Sequence, residues 1–200
     1  MAPSISENAS APLSPVYKHT SIRQIDTLHW VLGSGLIKDW SIAIDGGANI
    51  GEWAQVMAGR FQTVHAFEPG GMFQATASNI ILHECALLDR RTWVTLNRKG
   101  NSRGWWVRPG GGDIRATTVD ALQLNSCGFI KLDLEGADGL ALVGASKTIT
   151  QYRPVVMVEM GKQHRKRAPH ISSKDIRRFL HERGYLLARR VESDYIFVGG

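Results

Sequence analysis

The sequence predicts an α/β fold: a mostly parallel sheet with helices on both faces and an antiparallel C-terminal edge strand. Three observations carry this. Short apolar runs alternate with stretches of helical periodicity through most of the chain, which implies parallel strands joined by helical crossovers. A glycine turn, Asp45-Gly46-Gly47-Ala48-Asn49-Ile50-Gly51, stands between an apolar run and an amphipathic helix. Two strand-like runs close the chain in direct succession, Tyr185–Arg190 and Asp194–Val198, and a short connection of that kind makes an antiparallel pair.

The elements follow in order. Ser21–Trp40 reads as a first helix with Ile22, Ile25, Leu28, Leu32 and Leu36 apolar, weakened toward its end by Gly33 and Gly35. Ser41–Ile44 is a buried strand. From Ile50 the apolar residues Ile50, Trp53, Ala54, Met57, Ala58 and Phe61 recur at helical spacing. Thr63–Phe67 is a second strand, with Glu68 at its end. A short helix is expected over Gly70–Asn79 and a third strand over Ile80–Leu87. Thr92–Leu96 and Gly104–Val107 read as a hairpin across Asn97–Arg103, followed by a loop at Pro109-Gly110-Gly111-Gly112. Phe129–Leu134 is a strand, Asp138–Gln151 a helix and Val155–Met160 an almost wholly apolar strand. Ser172–Arg183 is a helix, capped by Ser172 or Ser173 and ended by Gly184. Residues 1–20, rich in Pro, Ser and Ala, read as a flexible N-terminal segment, and 21–200 as one domain.

Composition narrows the class. Two hundred residues with 43% hydrophobic content suit a globular protein with a proper core. No apolar run is long enough to span a bilayer, and the N-terminus lacks the basic start and apolar block of a secretory signal. Two cysteines, Cys85 and Cys127, make no disulfide framework. Together these favour a reducing, cytoplasmic setting. The net charge is +6, and much of it lies late. Lys162, Arg165, Lys166 and Arg167 cluster with His164 and His170, and Arg177, Arg178, Arg183, Arg189 and Arg190 follow. A solvated loop and helix face is the favoured reading of that region, ahead of recognition of an anionic partner.

The glycine turn and its acids define a chemistry. The glycines permit tight turning and close approach of backbone to ligand, and Asn49 tolerates left-handed geometry. The turn opens a helix whose first N–H groups are free. Glu68, about twenty residues on, is placed to bind ribose hydroxyls. A dinucleotide fits poorly: the spacing is G-G-A-N-I-G, not G-x-G-x-x-G, and Asp45 would repel a pyrophosphate. S-adenosylmethionine carries no phosphate. Its cationic methionine end suits Asp45, and its ribose diol suits Glu68.

These residues resemble the FkbM-type family of SAM-dependent methyltransferases. Asp45–Gly51 followed by His65-Ala66-Phe67-Glu68-Pro69 is similar to the family's first two blocks. Thr118-Val119-Asp120-Ala121-Leu122 resembles its T-x-D-x-L segment. Ile130-Lys131-Leu132-Asp133-Leu134-Glu135-Gly136-Ala137-Asp138 resembles its I-K-x-D-x-E-G-A-E block, with Asp138 where Glu is usual. The resemblance covers about Ser41 to Met160. It implies a Rossmann-like class I methyltransferase fold, S-adenosyl-L-methionine as cofactor and a hydroxyl-bearing acceptor.

The expected cofactor residues are Asp45, Gly47, Asn49, Gly51, Glu68, Pro69, Ala86, Leu87 and Asp133; Ala86 and Leu87 read equally well as core. Ligands of open α/β sheets lie beyond the carboxyl ends of strands, where Asp45, Glu68, Asp133 and Glu159 all fall. A base that takes the acceptor's proton is expected among Asp133, Glu159 and His164. Asp133 is preferred, because the basic cluster lowers the basicity of His164. Lys131 should share the face of Asp133 and neutralise it or fix the acceptor. Asp133, Glu135 and Glu159 are oxygen ligands of the kind magnesium takes, but no His/Cys spacing suggests zinc, and no metal is expected. Arg103-Gly104-Trp105-Trp106-Val107-Arg108 interleaves arginine with tryptophan, which suits stacking on a sugar or base, packing on the sheet, or a homodimer contact. The favoured partner is a small-molecule or glycan acceptor, an anionic one included. A nucleic-acid substrate ranks behind it: no N/D-P-P-Y block of base N-methyltransferases is present.

Overall fold

A computed structural model describes residues 22–98, 104–161 and 171–200. The flexible segment expected at 1–20 and the basic cluster at 162–167, with His164 and His170, lie outside the described residues. The described elements form two sheets. The larger has seven strands in the order β10-β11-β9-β8-β1-β2-β3. Its centre is β1 (Ile42–Gly46), β2 (Thr63–Phe67), β3 (Ile80–His83), β8 (Phe129–Leu132) and β9 (Val155–Glu159), all parallel. Next to β9 runs β11 (Asp194–Gly199), antiparallel both to β9 and to the outermost strand β10 (Tyr185–Val191). The antiparallel strand thus lies one place in from the edge, because the final hairpin folds its second strand inward.

Alternation along the central strands sends side chains to two cores. Ala43, Val64, Ala66, Phe129, Val155 and Met157 face α1 (Ile22–Gly33) and α2 (Glu52–Ala58). Ile44, Phe67, Ile130, Leu132, Val156 and Val158 face α3 (Asp138–Val143), α4 (Ser146–Tyr152) and α5 (Ser173–His181). Strands covered on both faces read as continuous apolar runs, and β8 and β9 are buried at every position. Ser172 caps α5, its hydroxyl accepting from the Asp175 N–H.

Several expectations change. No helix forms over 70–79. Gly70 and Gly71 open that stretch with Gly71 at φ +70°, and its amides are used elsewhere: Gln74 N–H donates to the Ile50 carbonyl, and those of Thr76 and Ala77 to Gln55 Oε1. The third strand stops at His83, where the Cys85 N–H turns back onto the His83 carbonyl. Ala86–Leu87 becomes β4 of the second sheet. The helix after β8 breaks at Gly144, where the chain passes so close to Leu88 that an added Cβ would meet its carbonyl oxygen at 2.0 Å. Asp120 then caps the new start, accepting from the N–H groups of Lys147 and Thr148. The T-x-D-x-L segment is therefore a brace: Thr118 caps its own 3-10 turn and Asp120 caps α4.

The second sheet has the order β4-β7-β5-β6. It pairs β5 (Thr92–Asn97) with β6 (Trp106–Pro109), the expected hairpin, and adds β7 (Ile114–Thr117), which the sequence reading missed. One face carries Val94, Val107, Ile114 and Ala116 into a third apolar cluster with Ala137 and Leu140.

Candidate functional site

The turn after β1 is clasped to the loop after β8. The Asp133 N–H donates to the Gly46 carbonyl at 3.0 Å. Gly47 sits at φ +76°, and a Cβ there would lie 2.0 Å from the Asp133 carbonyl oxygen. Only glycine fits that crossing. Next to it, Asn49 and Glu135 both adopt left-handed backbone, φ 49° and 54°, a strain that side-chain-bearing residues accept mostly where a site requires it.

These two loops floor a cavity of about 260 Å³ at the carboxyl edge of the parallel sheet. Gly47, Asn49, Glu68, Pro69, Ala86, Leu87, Lys131, Asp133 and Glu159 line it together. Sequence reasoning missed other parts of the wall, Glu52 and Trp53 from α2, Cys85, and Leu96 from β5; Trp105 and Trp106, which it had marked for stacking on a sugar or base, packing or a dimer contact, also line the cavity. The signal for Glu52 and Trp53 was their place in the first turn of the helix that the glycine turn opens. Nothing local marked Leu96, whose place depends on long-range pairing.

Glu68 braces the cavity. Its Oε2 accepts from the Asn49 N–H at 2.8 Å and its Oε1 from the Gly70 N–H at 2.6 Å. Burial raises its pKa, and the two N–H donors partly offset that. Each oxygen retains a lone pair for a ligand hydroxyl. The Trp105 ring packs on Gly70 beside it, under the Arg98 guanidinium 5.6 Å from the ring centre.

Two expected cofactor residues are not on the wall. Gly51 is filled over by Phe73 and Ala75, so it serves packing of the 70–79 stretch. Asp45 is fully buried, and its Oδ1 lies 2.9 Å from Lys131 Nζ. The two residues are direct neighbours in register on β1 and β8. Lys131 lines the cavity, donates to the Gly47 carbonyl at 3.2 Å and lies 5.1 Å from the Trp53 ring centre. Burial alone would lower its pKa. The charge of Asp45 and then of Asp133 outweighs that and raises it. Lys131 therefore remains a cation that consumes the charge of Asp45, and Asp45 presents no carboxylate to a ligand.

At the other end of the cavity Asp133 meets Glu159. Their side chains are hydrogen-bonded, and Ser193 Oγ donates to Glu159 Oε1 at 3.0 Å. Burial first, then the charges of Asp133 and Asp138, push Glu159 up to about 9. Asp194, opposite Glu159 on β11, is pushed up to about 7 by burial and by Asp133. Raised in this way, Glu159 favours its protonated form, which argues against the base role that the sequence offered. His164 lies outside the described residues; Asp133 lines the cavity. Glu135 lines the same end. Asp138 turns inward instead, accepting from the N–H groups of Leu134 and Gly136. Among the described residues no three His, Cys, Asp or Glu side chains converge to hold a metal ion.

Sheet order, glycine turn and cleft define a Rossmann-like class I methyltransferase fold. Residues 111–187 match the family model described as the methyltransferase FkbM domain, so the family resemblance is borne out. The match covers β7 to the start of β10 and leaves out the glycine turn and Glu68. A solved FkbM methyltransferase from Methylobacillus flagellatus is similar over 80% of this chain, at 21% identity and a TM-score of 0.55. The present chain spans 43% of that protein's length. Magnesium protoporphyrin IX methyltransferase from Synechocystis, solved with bound SAM, aligns with 96% of this chain and 87% of its own at 14% identity and a TM-score of 0.50. Precorrin 8W decarboxylase from Methanobacterium thermoautotrophicum aligns with 90% of this chain and 92% of its own at 12% identity and a TM-score of 0.50. At these identities the likeness is one of fold. No curated protein matches the chain.

Proposed function

We propose that the protein is an S-adenosyl-L-methionine-dependent methyltransferase that methylates a hydroxyl on a small molecule, sugar or glycan. The observation that carries this is the convergence of Glu68 and Asp133 on one cavity floored by the Gly47 turn. The donor set fits the cofactor. Glu68 offers lone pairs to a ribose diol, while Ala86, Leu87 and Phe67 offer an apolar wall to an adenine. Bound there, the cofactor supplies an activated methyl on a sulfonium. The chain's own part is alignment, exclusion of water and removal of a proton. Asp133 accepts the acceptor's hydroxyl proton. Glu159, protonated, donates to Asp133 and holds its carboxylate toward the cavity. Lys131, tied to Asp45, fixes the floor and limits the negative charge beside Asp133. Trp105 and Leu96 cover the cleft. Among the described residues no helix is long and apolar enough to cross a membrane, and Cys85 and Cys127 are unpaired; the proposed setting is the cytoplasm.

Calorimetry against SAM, its demethylated product and NAD is the first test. Binding of the first two and weak binding of NAD is the expected result; tight NAD binding without SAM binding overturns the reading. Incubation with labelled SAM and candidate hydroxyl compounds then reads out the acceptor.

A further inference from the structure

Apart from Trp106, the outer face of the small sheet has no part in the site above. Register and alternation place Trp93, Thr95 and Asn97 of β5, Trp106 and Arg108 of β6, and Arg115 of β7 on it. The opposite face is the one buried in the third cluster. Trp93 is 53% exposed, the largest exposure of any tryptophan among the described residues, and Arg108 and Arg115 are exposed too. Trp93 stands directly across from Arg115, and Thr95 directly across from Arg108. The three strands carry no acid. The nearest in sequence, Asp89 and Asp113, lie outside them, and Asp89 is paired with Arg90 at 2.9 Å.

We infer that this face binds single-stranded nucleic acid, with a base stacked on Trp93 and backbone phosphates on Arg108 and Arg115. The two arginines flank the tryptophan-bearing strand. With strands ~4.8 Å apart and ~3.4 Å per residue, their backbones lie roughly 12 Å apart along a diagonal, a reach suited to phosphates about two nucleotides apart. Arginine forks match phosphate oxygens, and an exposed tryptophan on a basic sheet is a stacking platform for bases of any sequence. The donors argue against a neutral glycan. A neutral sugar offers no anion to the two guanidinium forks, and the Thr95 hydroxyl already donates to the Gly111 carbonyl. Trp106 belongs both to this face and to the cavity wall, so a bound strand leads toward the cleft. The inference does not depend on the methyltransferase reading.

The test is fluorescence anisotropy with a labelled oligo-uridylate of about ten nucleotides, within the site sizes of single-strand-binding folds. Two phosphate contacts predict a log–log salt slope near −1.4, so Kd should rise about sevenfold between roughly 50 and 200 mM salt. Trp93→Ala should weaken binding at least about fivefold with little change in slope. Arg108→Gln/Arg115→Gln should bring the slope toward zero. All these side chains are exposed, and unchanged melting temperatures will show that the variants fold. Absence of oligonucleotide binding overturns the inference. So does binding that survives the double arginine change, which would place it elsewhere, or dextran sulfate competing as well as the oligonucleotide with Trp93→Ala silent, which would make the face a site for anionic polysaccharide.

Discussion

Replacing Glu68 by Gln tests whether the brace of the glycine turn is also a ligand contact. The wild-type carboxylate accepts one backbone N–H on each oxygen, from Asn49 and from Gly70. Glutamine keeps the shape and one acceptor, but its amide nitrogen must face one of those N–H groups, donor against donor. One charge-assisted hydrogen bond is lost, worth about 1.5–3 kcal/mol. In a domain of this size that lowers Tm by about 3–12 °C, read by thermal unfolding without ligand. If the remaining lone pairs hold a ribose diol, SAM affinity falls separately by about ten- to a hundredfold, read by calorimetry below the new Tm. Because burial raises the pKa of Glu68 above 4.5, acidification should mimic the affinity loss in wild type, at pH values where an ordinary glutamate is still charged. A lowered Tm with unchanged SAM affinity refutes the ligand role and leaves only the brace. An unchanged Tm refutes the structural argument itself.

Asp133→Asn should cut turnover by about 10²–10⁴-fold with the true acceptor while leaving the SAM Kd within a few-fold; lost SAM binding with normal saturated turnover would reassign Asp133 to the cofactor. Gly47→Ala places a Cβ against the Asp133 carbonyl in left-handed backbone and should destabilise by at least about 2 kcal/mol in denaturant unfolding. Glu159 keeps in the folded state a proton that the unfolded chain releases near 4.5. Its stability contribution is therefore complete below that pH and fades toward about 9. Across that window wild type should lose up to about 1.4 kcal/mol per pH unit relative to Glu159→Gln, and parallel pH profiles of the two would show that Glu159 is charged. The stacked pair His65 and His83, hydrogen-bonded at 2.9 Å, is held neutral by burial, His65 down at about 4. Stability from this pair is present above 6.5 and should fall as pH drops toward 4, an acid limb that His83→Gln should shrink.

The central strands were legible because burial on both faces removes the need for alternation: Val155–Glu159 reads as an apolar run for that physical reason. The glycine turn was legible because Gly47 answers to a local dihedral. Glu68 was legible because a strand end fixes its direction. What the sequence hid depends on partners distant in the chain. Asp45 looked like a ligand acid until the register of β1 with β8 set Lys131 beside it. Glu159 looked like a base until burial, and then Asp133 and Asp138 from the segment after β8, raised its pKa. The 70–79 stretch was expected to be a short helix, yet its amides found Ile50 and Gln55 instead. The four residues of β7 carry too short a pattern to read as a strand at all.

The roof of the cleft and its floor have separate origins. Every strand of the small sheet comes from one uninterrupted stretch, Ala86–Thr117, whereas the Gly46–Asp133 clasp joins segments on either side of it. A graft of that stretch from a relative would exchange the far wall and the basic outer face in a single cut, without disturbing the clasp. Roof and floor are thus separable in the chain: residues of the roof can be exchanged while both halves of the clasp keep their own.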